Sequence, residues 1–572
     1  MIRKTIFILF VPLIIFSLPS EKNFLQRIES HILIQDYSSA LQEANIAIQK
    51  FPKSKKVRAR YIETLALSYR DYEASTLLKS FIEEHGIESG SLIEEVCWGI
   101  INKAALSSQY QTRLTASIGA YLTHDIRAVL LLKEKLKDSN AVIRSIALQL
   151  ASSYMDKPIK DEIIKLLENE KLWLVRLEVI KAVGNLKIKE KKSDLKEIIA
   201  SDSSTYEEKE VATNALASIT DNLEIKELLE ISKSRKKGLR KLACDLIAYF
   251  DFNQASDVIQ SLLDDPISEV RMAALNTVAL VFLNVTELEK NILKLLDDPD
   301  PTISITAAYV AVLKNIKIGE KRLARYIYND NIENQRFAAA CLGNLINKCL
   351  DLKKEVLSKH KDPYVLVNIA MGLITERKFV EKSSDVIYNF LKNEKNKIRL
   401  DTRKNPLFQT LTQSYIRHVD QIPNYPEAVD QITRLNLLNM LAIVQDTRAQ
   451  DAIKDFLTKK GLNITGFAAT MLLKEGDSDA LSLVKEVLNE KDEKTRVQAA
   501  LVLGMIGKEA YVIDVLIEAY KNADHELKIR ILEVLGSVSH KNSINFLIDA
   551  LTEPYQILRV VAASSLIRSI NG

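Results

Sequence analysis

The chain has 572 residues, 47% of them apolar, with only 16 glycines and 12 prolines. That apolar share excludes a disordered chain, and so few turn-formers favour long helices over many short strands. The formal charge is +4, and without Arg3 and Lys4 it is 77 basic against 75 acidic residues, or +2. This balance gives no electrostatic reason to expect nucleic acid or an anionic membrane as partner.

The first residues read "MIRKTIFILFVPLIIFSLPSEK". Arg3 and Lys4 make a short positive region, Ile6 to Leu18 is an uncharged apolar run, and Ser17 and Ser20 are small residues at a cleavage position. This layout predicts a signal peptide over residues 1–20. The run is short against the roughly 20 residues a membrane-spanning helix needs. No cysteine stands near its end to carry a lipid anchor, and no later stretch is apolar enough to span. The expected location is therefore outside the cytoplasm, in the periplasm or cell envelope or secreted, with no transmembrane span once the leader is removed.

Residues 21–99 contain "QDYSSALQEANIAIQKFP" (Gln35 to Pro52) and, 35 residues on from Tyr37, "RDYEASTLLKSFIEEHG". Tyr37, Ala40, Ala44, Ala47 and Pro52 sit at the offsets of the tetratricopeptide repeat, which this segment resembles. The glycine usual two residues before the Tyr is Gln35 here, and the second copy keeps only Asp71 and Tyr72. The resemblance implies helical hairpins.

From about residue 100 a different element recurs. "LLDDPISEVRMAALNTV" (Leu262 to Val278) returns 33 residues later as "LLDDPDPTISITAAYVA". Val270, Ala274, Leu275 and Val278 fall on one face of a helix. With the position of Arg271 as marker, copies stand at 113, 144, 176, 209, 240, 271, 304, 335, 366, 399, 434, 465, 496, 528 and 559, in steps of 31 to 35. The residue three after the marker is Ala in ten of the fifteen, which lets neighbouring helices approach closely. The marker itself is Arg113, Arg144, Arg176, Arg240, Arg271, Arg399, Arg434, Arg496 or Arg559, Lys at 209 and 528, and Ser304, Gln335, Leu366 or Thr465 elsewhere. Between copies lies a second helical pattern ending in a polar turn such as "DDP" or "TEP", where proline stops one helix and Asp caps the next. Each unit is a helical hairpin unable to bury both faces alone, and stacked hairpins bury a continuous core.

These residues resemble the short bacterial form of the HEAT repeat, best in "DDPISEVRMAALNTV", "EKDEKTRVQAALVLGMIG" and "LRVVAASSLI". The resemblance implies an all-α fold, an α-solenoid in which stacked hairpins form a right-handed superhelix. It also implies a polar ladder between successive turns, formed by the Asp before the marker helix and the Arg inside it, with Asp265 and Arg271 the clearest such place. Arg113, Arg144, Arg176, Arg240, Arg434, Arg496 and Arg559 are further rungs, and the ladder should be interrupted at Ser304, Gln335, Leu366 and Thr465.

One place breaks the beat. In the unit of Arg399, Pro406 stands where an apolar helix residue belongs, and Pro423 and Pro426 follow before the longest step. Residues 401–430 are expected to be an irregular break or hinge between two arrays, 100–400 and 431–572. The stretch also gathers Tyr415, Arg417, His418 and Tyr425, types common among interface anchors.

Chemistry is sparse. None of the seven His pairs with another at i+4, and no C-x-x-C or G-x-S-x-G occurs, so no catalytic, cofactor-binding or metal-ligating residue is assigned and no cofactor is expected. "GMIGKEA" reads as the end of a helix, with Gly504 close-packed and Gly507 in the cap. Cys97, Cys244, Cys341 and Cys349 show no disulfide spacing and read as buried thiols; a bend would be needed to join Cys341 to Cys349. Two basic clusters stand out, Lys50 to Arg60 and "KSRKKGLRK", in which Lys233, Arg235, Lys236, Lys237, Arg240 and Lys241 are positive. They are solvated turns or contacts for an acidic partner.

The expectation is a non-catalytic exported scaffold or adaptor that binds a protein or peptide along a curved surface supplied by the marker helices. The alternatives are a lipid or polyanion binder acting through Lys233 to Lys241, and a HEAT-type lyase or other accessory enzyme. Export makes nucleic acid a poor partner.

Overall fold

In the computed structural model of this protein the described residues are 20–87, 90–220, 225–281, 285–392, 397–404, 411–419, 427–449, 452, 485, 488–489, 493–506 and 509–571. They form two compact units, one of residues 1–131 with 508–572 and the other of residues 132–507. Residues 1–19 of the leader lie outside the described residues, as do Thr465, Tyr425, Pro406 and Gly507.

The first unit begins with α1 (Glu21–Leu33), α2 (Tyr37–Lys50), α3 (Lys55–Leu67), α4 (Asp71–His85), α5 (Gly90–Ala105) and α6 (Tyr110–Leu122). Short polar turns separate them, and Ser20, Asp36 and Ser54 cap α1 to α3 by accepting backbone N–H bonds. Ala40, Ala44 and Ala47 are fully buried, and the last two pack with Phe24, Ile28 and Val57. Gln35 has φ +60°, the left-handed region that a glycine at this place adopts without strain. α7 (Arg127–Lys135) runs across the sequence boundary between the units.

The second unit continues with α8 (Ala141–Ala151), α9 (Lys157–Asn169), α10 (Trp173–Asn185), α11 (Lys192–Ala200), α12 (Tyr206–Ile219), α13 (Ile225–Ser232), α14 (Lys237–Tyr249), α15 (Ser256–Leu263) and α16 (Ser268–Leu280). Then come α17 (Glu289–Leu295), α18 (Pro301–Leu313), α19 (Ile318–Ile327), α20 (Ile332–Gly343), α21 (Leu350–Lys359), α22 (Pro363–Thr375) and α23 (Val380–Leu391). After these come β1 (Ile398–Lys404), β2 (Leu411–His418), α24 (Glu427–Ile443) and α25 (Glu493–Ile506). From α8 to α22 the even-numbered helices are the marker helices, and each packs on the next. All eight start three residues before the marker, so the repeat in sequence is a repeat in space. The small residue three after the marker is buried without exposure at Ala147, Ala212, Ala243, Ala274, Ala307 and Ala338. Glycine does the same job later in the helix. A Cβ on Gly184 of α10 would come within 2.7 Å of the Ala215 Cα on α12.

The copy of Arg399, expected as a helix, is instead a strand. β1 and β2 pair antiparallel, with Leu400 opposite Ile416 and Asp401 opposite Tyr415. The chain there is rich in β-branched and aromatic residues, among them Ile398, Thr402, Tyr415 and Ile416, which suit a pleated backbone better than a helix. The hairpin is sewn to the helices by side chains. The Asn368 amide of α22 accepts the Ile416 N–H at 2.8 Å and donates to its carbonyl at 3.1 Å. On the other edge Asp430 and Thr433 of α24 accept the N–H groups of Ile398 and Leu400. β2 packs on α16, α20 and α22, all marker helices.

The first unit is completed by α26 (Ile513–Asn522), α27 (His525–Val538), α28 (Lys541–Ala550) and α29 (Gln556–Asn571). The last helix is not left bare. α29 packs against α5 and α6, and α28 against α4. A Cβ on Gly119 of α6 would stand 3.3 Å from the Ser564 Cβ of α29, and Lys79 of α4 reaches Asp549 of α28 at 2.9 Å. Within this unit the end of the chain is therefore the stacking partner of its beginning. Among the described residues no helix is long and apolar enough to cross a membrane.

Candidate binding surface on the marker helices

The marker Arg performs the same act in unit after unit. Its Nη1 donates to the carbonyl oxygens six and five residues earlier, from Arg144 to Asp138 and Ser139 and from Arg271 to Asp265 and Pro266. Arg113, Arg240 and Arg559 repeat this, and Arg176 bonds the earlier carbonyl. The rest of the guanidinium turns to a carboxylate of the following unit: Arg144 to Glu170, Arg176 to Glu208, Arg240 to Asp265 and Arg271 to Asp298. The expected pairing of Asp265 with Arg271 is thus corrected. The Asp265 carboxylate belongs to Arg240, at 2.6 and 3.0 Å, while Arg271 holds only the Asp265 carbonyl. The reason is reach. The marker lies near its helix's N-terminus, so one edge of the fork ties down its own turn and the other is aimed at the next hairpin.

The expected interruptions are also only partly present. Ser304 spends its hydroxyl on the Leu296 carbonyl and makes no bridge onward. At the next copy Gln335 keeps the bond to the carbonyl six before it, and Arg336, one residue displaced, supplies the onward rung to Asp362. Arg434 pairs within its own helix with Asp430 and reaches the Leu391 carbonyl. Arg496 is exposed and pairs with no described residue. Burial alone would raise the carboxyls of Glu170 and Glu208, but hydrogen bonds and the charges of Arg144 and Arg176 hold both below the usual range.

The basic cluster before α14 is largely neutralised where it stands. Lys236 pairs with Asp202 at 2.5 Å, Lys237 with Glu269 at 2.7 Å and Arg240 with Asp265, while Lys241 lies over the Tyr206 ring at 5.8 Å. Lys233 and Arg235 are exposed. In the earlier cluster Arg58 pairs with Glu84, Arg60 with Glu29 and Glu63, and Lys50 sits over Phe24. Tyr415, Arg417 and His418 lie on β2; their side chains lie outside the described part, and so does Tyr425.

The concave feature of this region lies beneath the pairs, not on them. A cavity of about 500 Å³ opens between α11, α12, α14 and α16. Its apolar walls include Ile199, Tyr206 and Met272, and its polar groups are Lys209, Glu210, Lys237, Lys241, Asp245 and Glu269. Asp245 accepts no hydrogen bond from a described residue. Burial pushes its carboxyl up to about 7, with Lys241 opposing and Glu210 adding to the shift. Tyr206 at the mouth is 68% exposed, and Trp173, at the same register on α10, is 48% exposed and donates to Thr205. Sequence reading missed Asp245, Trp173 and Tyr206. The recoverable signal was the aromatic three before the marker in three of the first four copies, Tyr110, Trp173 and Tyr206. Asp245 carries no such signal, because an acid one turn after a Lys is an ordinary helix-surface pattern.

A smaller cavity of about 320 Å³ adjoins the hairpin, lined by Pro363, Leu366, Phe390, Ile398 and Arg434 among others. Leu366 stands where other units carry the marker Arg. No group of three or more His, Cys, Asp or Glu able to hold a metal ion occurs among the described residues. The four cysteines are free thiols, with Cys97, Cys244 and Cys341 buried. The chain does turn between α20, which holds Cys341, and Cys349, yet the two remain unjoined. Burial raises the thiols of Cys97 and Cys244, and that of Cys349 to about 11, so none of these three is an activated nucleophile.

Stacked helical hairpins with shared cores, repeated at a fixed step, place the chain in the all-α class of α-solenoids. The family model for HEAT repeats matches residues 482–567. No curated protein matches the sequence. Among solved structures the chain is similar to the UNC-45 chaperone, described as binding and folding muscle myosin, with 11% identity, TM-score 0.36, and coverage of 97% of this chain and 76% of that one. It is similar to yeast importin-β, Kap95p, with 13% identity, TM-score 0.35, and coverage of 96% and 88%. It is also similar to the CpcE–CpcF complex of phycocyanin lyase from Nostoc sp. PCC7120, with 15% identity, TM-score 0.23, and coverage of 46% and 93%. At these identities and scores nothing about activity or partner carries over to this chain.

Proposed function

We propose that this protein is an exported, non-catalytic scaffold that binds a protein or peptide partner along the marker helices of its second unit. The observation that carries the reading is the row of exposed aromatic residues on consecutive marker helices, Trp173 on α10 and Tyr206 on α12, running into the cavity between α12, α14 and α16. Exposed aromatics beside a pocket are the side chains that most often anchor a partner. The hairpin supports the location, because β2 packs on α16, α20 and α22 and, among the described residues, not on α10, α12 or α14. The layout of the leader supports export. The polyanion reading loses ground because three of its six cations already hold acids and a fourth lies over a ring.

The test is crosslinking of the full-length protein in its own cells, with mass spectrometry of the partners and crosslinked residues. The expected result is one stoichiometric protein partner crosslinked at residues of α10, α12 and α14. Recovery of no protein partner would overturn the reading.

A further inference from the structure

The basic cluster of the first unit keeps the charge that the cluster before α14 loses, and the fold sets it beside the apolar run of the leader. The first turn of α1, the last of α2 and the first of α3 meet at one end of their bundle. The Ser54 hydroxyl donates to Glu21 at 2.9 Å, Phe24 and Phe51 pack edge-on at 6.2 Å, and Lys50 lies over the Phe24 ring. This end carries Lys22, Lys50, Lys53, Lys55 and Lys56, all exposed. Lys22, Lys53 and Lys56 pair with no acid among the described residues. The acids of this end are engaged elsewhere: Glu21 by Ser54, Glu43 by Arg27 and Glu84 by Arg58, while Glu83 acts on Lys79. Solvated lysines with no acid among them raise the local potential and draw an anionic surface.

Two observations select the surface. The arginines of the cluster, whose planar forks would grip one phosphate or carboxylate in two-point fashion, are spent: Arg58 on Glu84, and Arg60 on Glu29 and Glu63. What remains is lysine alone, a set of point charges suited to many loosely placed anionic headgroups. The second observation is position. Ser20, which caps α1, follows the uncharged run Ile6 to Leu18 after the single residue Pro19. A bilayer that takes up the run therefore meets this end of the first unit before any other part of it. We infer that the end of the first unit bearing Lys22, Lys53 and Lys56 lies against an anionic lipid surface, held by diffuse electrostatic attraction to its headgroups. This surface is in the other unit from the partner-binding helices proposed above and does not depend on that reading.

The experiment is co-flotation of the full-length protein with vesicles of phosphatidylcholine alone and with vesicles in which about 30% of the lipid is phosphatidylglycerol, a content that gives an anionic surface. The readout is the ratio of the two partition coefficients, in which the apolar contribution of the leader cancels. Each lysine near such a surface contributes about fivefold, so the triple variant Lys22→Ser, Lys53→Ser and Lys56→Ser is expected to lower the ratio about a hundredfold. Arg3 and Lys4 are present in both proteins, so the loss reports the lysines of the bundle. The wild-type ratio is also expected to fall as salt rises from about 0.1 M to about 1 M, where the screening length shortens from about 10 Å to about 3 Å. The charge-matched variant Lys290→Ser, Lys321→Ser and Lys541→Ser, which removes three exposed lysines from other helices, is expected to keep the wild-type ratio. A loss of less than tenfold in the first variant, an equal loss in the second, or no preference of wild type for the anionic vesicles would each overturn the inference. All six lysines are exposed, so the variants keep the fold, and an unchanged thermal unfolding midpoint checks this.

Discussion

At the scale of the residue, the marker Arg shows why one side chain recurs while its surroundings vary. Arg271 donates to two carbonyls of its own turn and two oxygens of Asp298, and both charged groups are nearly buried. Only a planar fork satisfies both sides at once, so lysine is no substitute. Removing one member of such a pair strands the other. Arg271→Ala is therefore expected to lower stability by roughly 3 kcal/mol, read as a shift in the urea midpoint, and Arg271→Lys to recover less than half of it. A loss below about 0.5 kcal/mol would place the pair among ordinary surface bridges. The sequence displayed the Arg plainly but not its partner, because Asp265 and Asp298 stand at equivalent places in successive units and only the fold says which faces Arg271.

At the scale of the element, the helices were legible and the strands were not. A marker every 31 to 35 residues, with Ala three later, located the marker helices because burial imposes that period. The hairpin after α23 left a weaker trace. Pro406 and the uneven step declared that a helix fails there, but nothing local announced that Asn368, on a helix 48 residues before Ile416, would serve as a neighbouring peptide group. Close helix crossings follow the same rule as the alanines. A Cβ on Gly372 of α22 would overlap the backbone of Gly343 on α20. Gly372→Ala is expected to cost about 2 kcal/mol through this overpacking, despite the better helix propensity of alanine. Thermal unfolding of the variant checks it, and an unchanged or raised midpoint would show that the two helices separate at no cost.

At the scale of the whole molecule, the unexpected feature is the use of the chain's own beginning to cover its end. Something must hold α29 against α5 and α6. The answer lies at Asp71, buried on α4, which takes Arg559 of α29 at 3.1 Å and Lys103 of α5 at 2.5 Å. No local pattern predicts a contact 488 residues away. Asp71→Asn is expected to loosen both ends together, so that hydrogen exchange quickens in α4, α5 and α29 in concert. Faster exchange confined to α4 would show that the ends are held independently.

This closure has a consequence in time. A repeat array with free ends can fold from its first unit as each hairpin leaves the ribosome. Here α5 and α6 must wait for α29, which is made much later. At roughly 5–20 residues per second, the stretch from Asp71 to Arg559 takes on the order of 25–100 s to synthesise. Throughout that interval the faces of α5 and α6 that α29 will cover remain open to any other chain, so the protein is most vulnerable to mispairing while it is still being made.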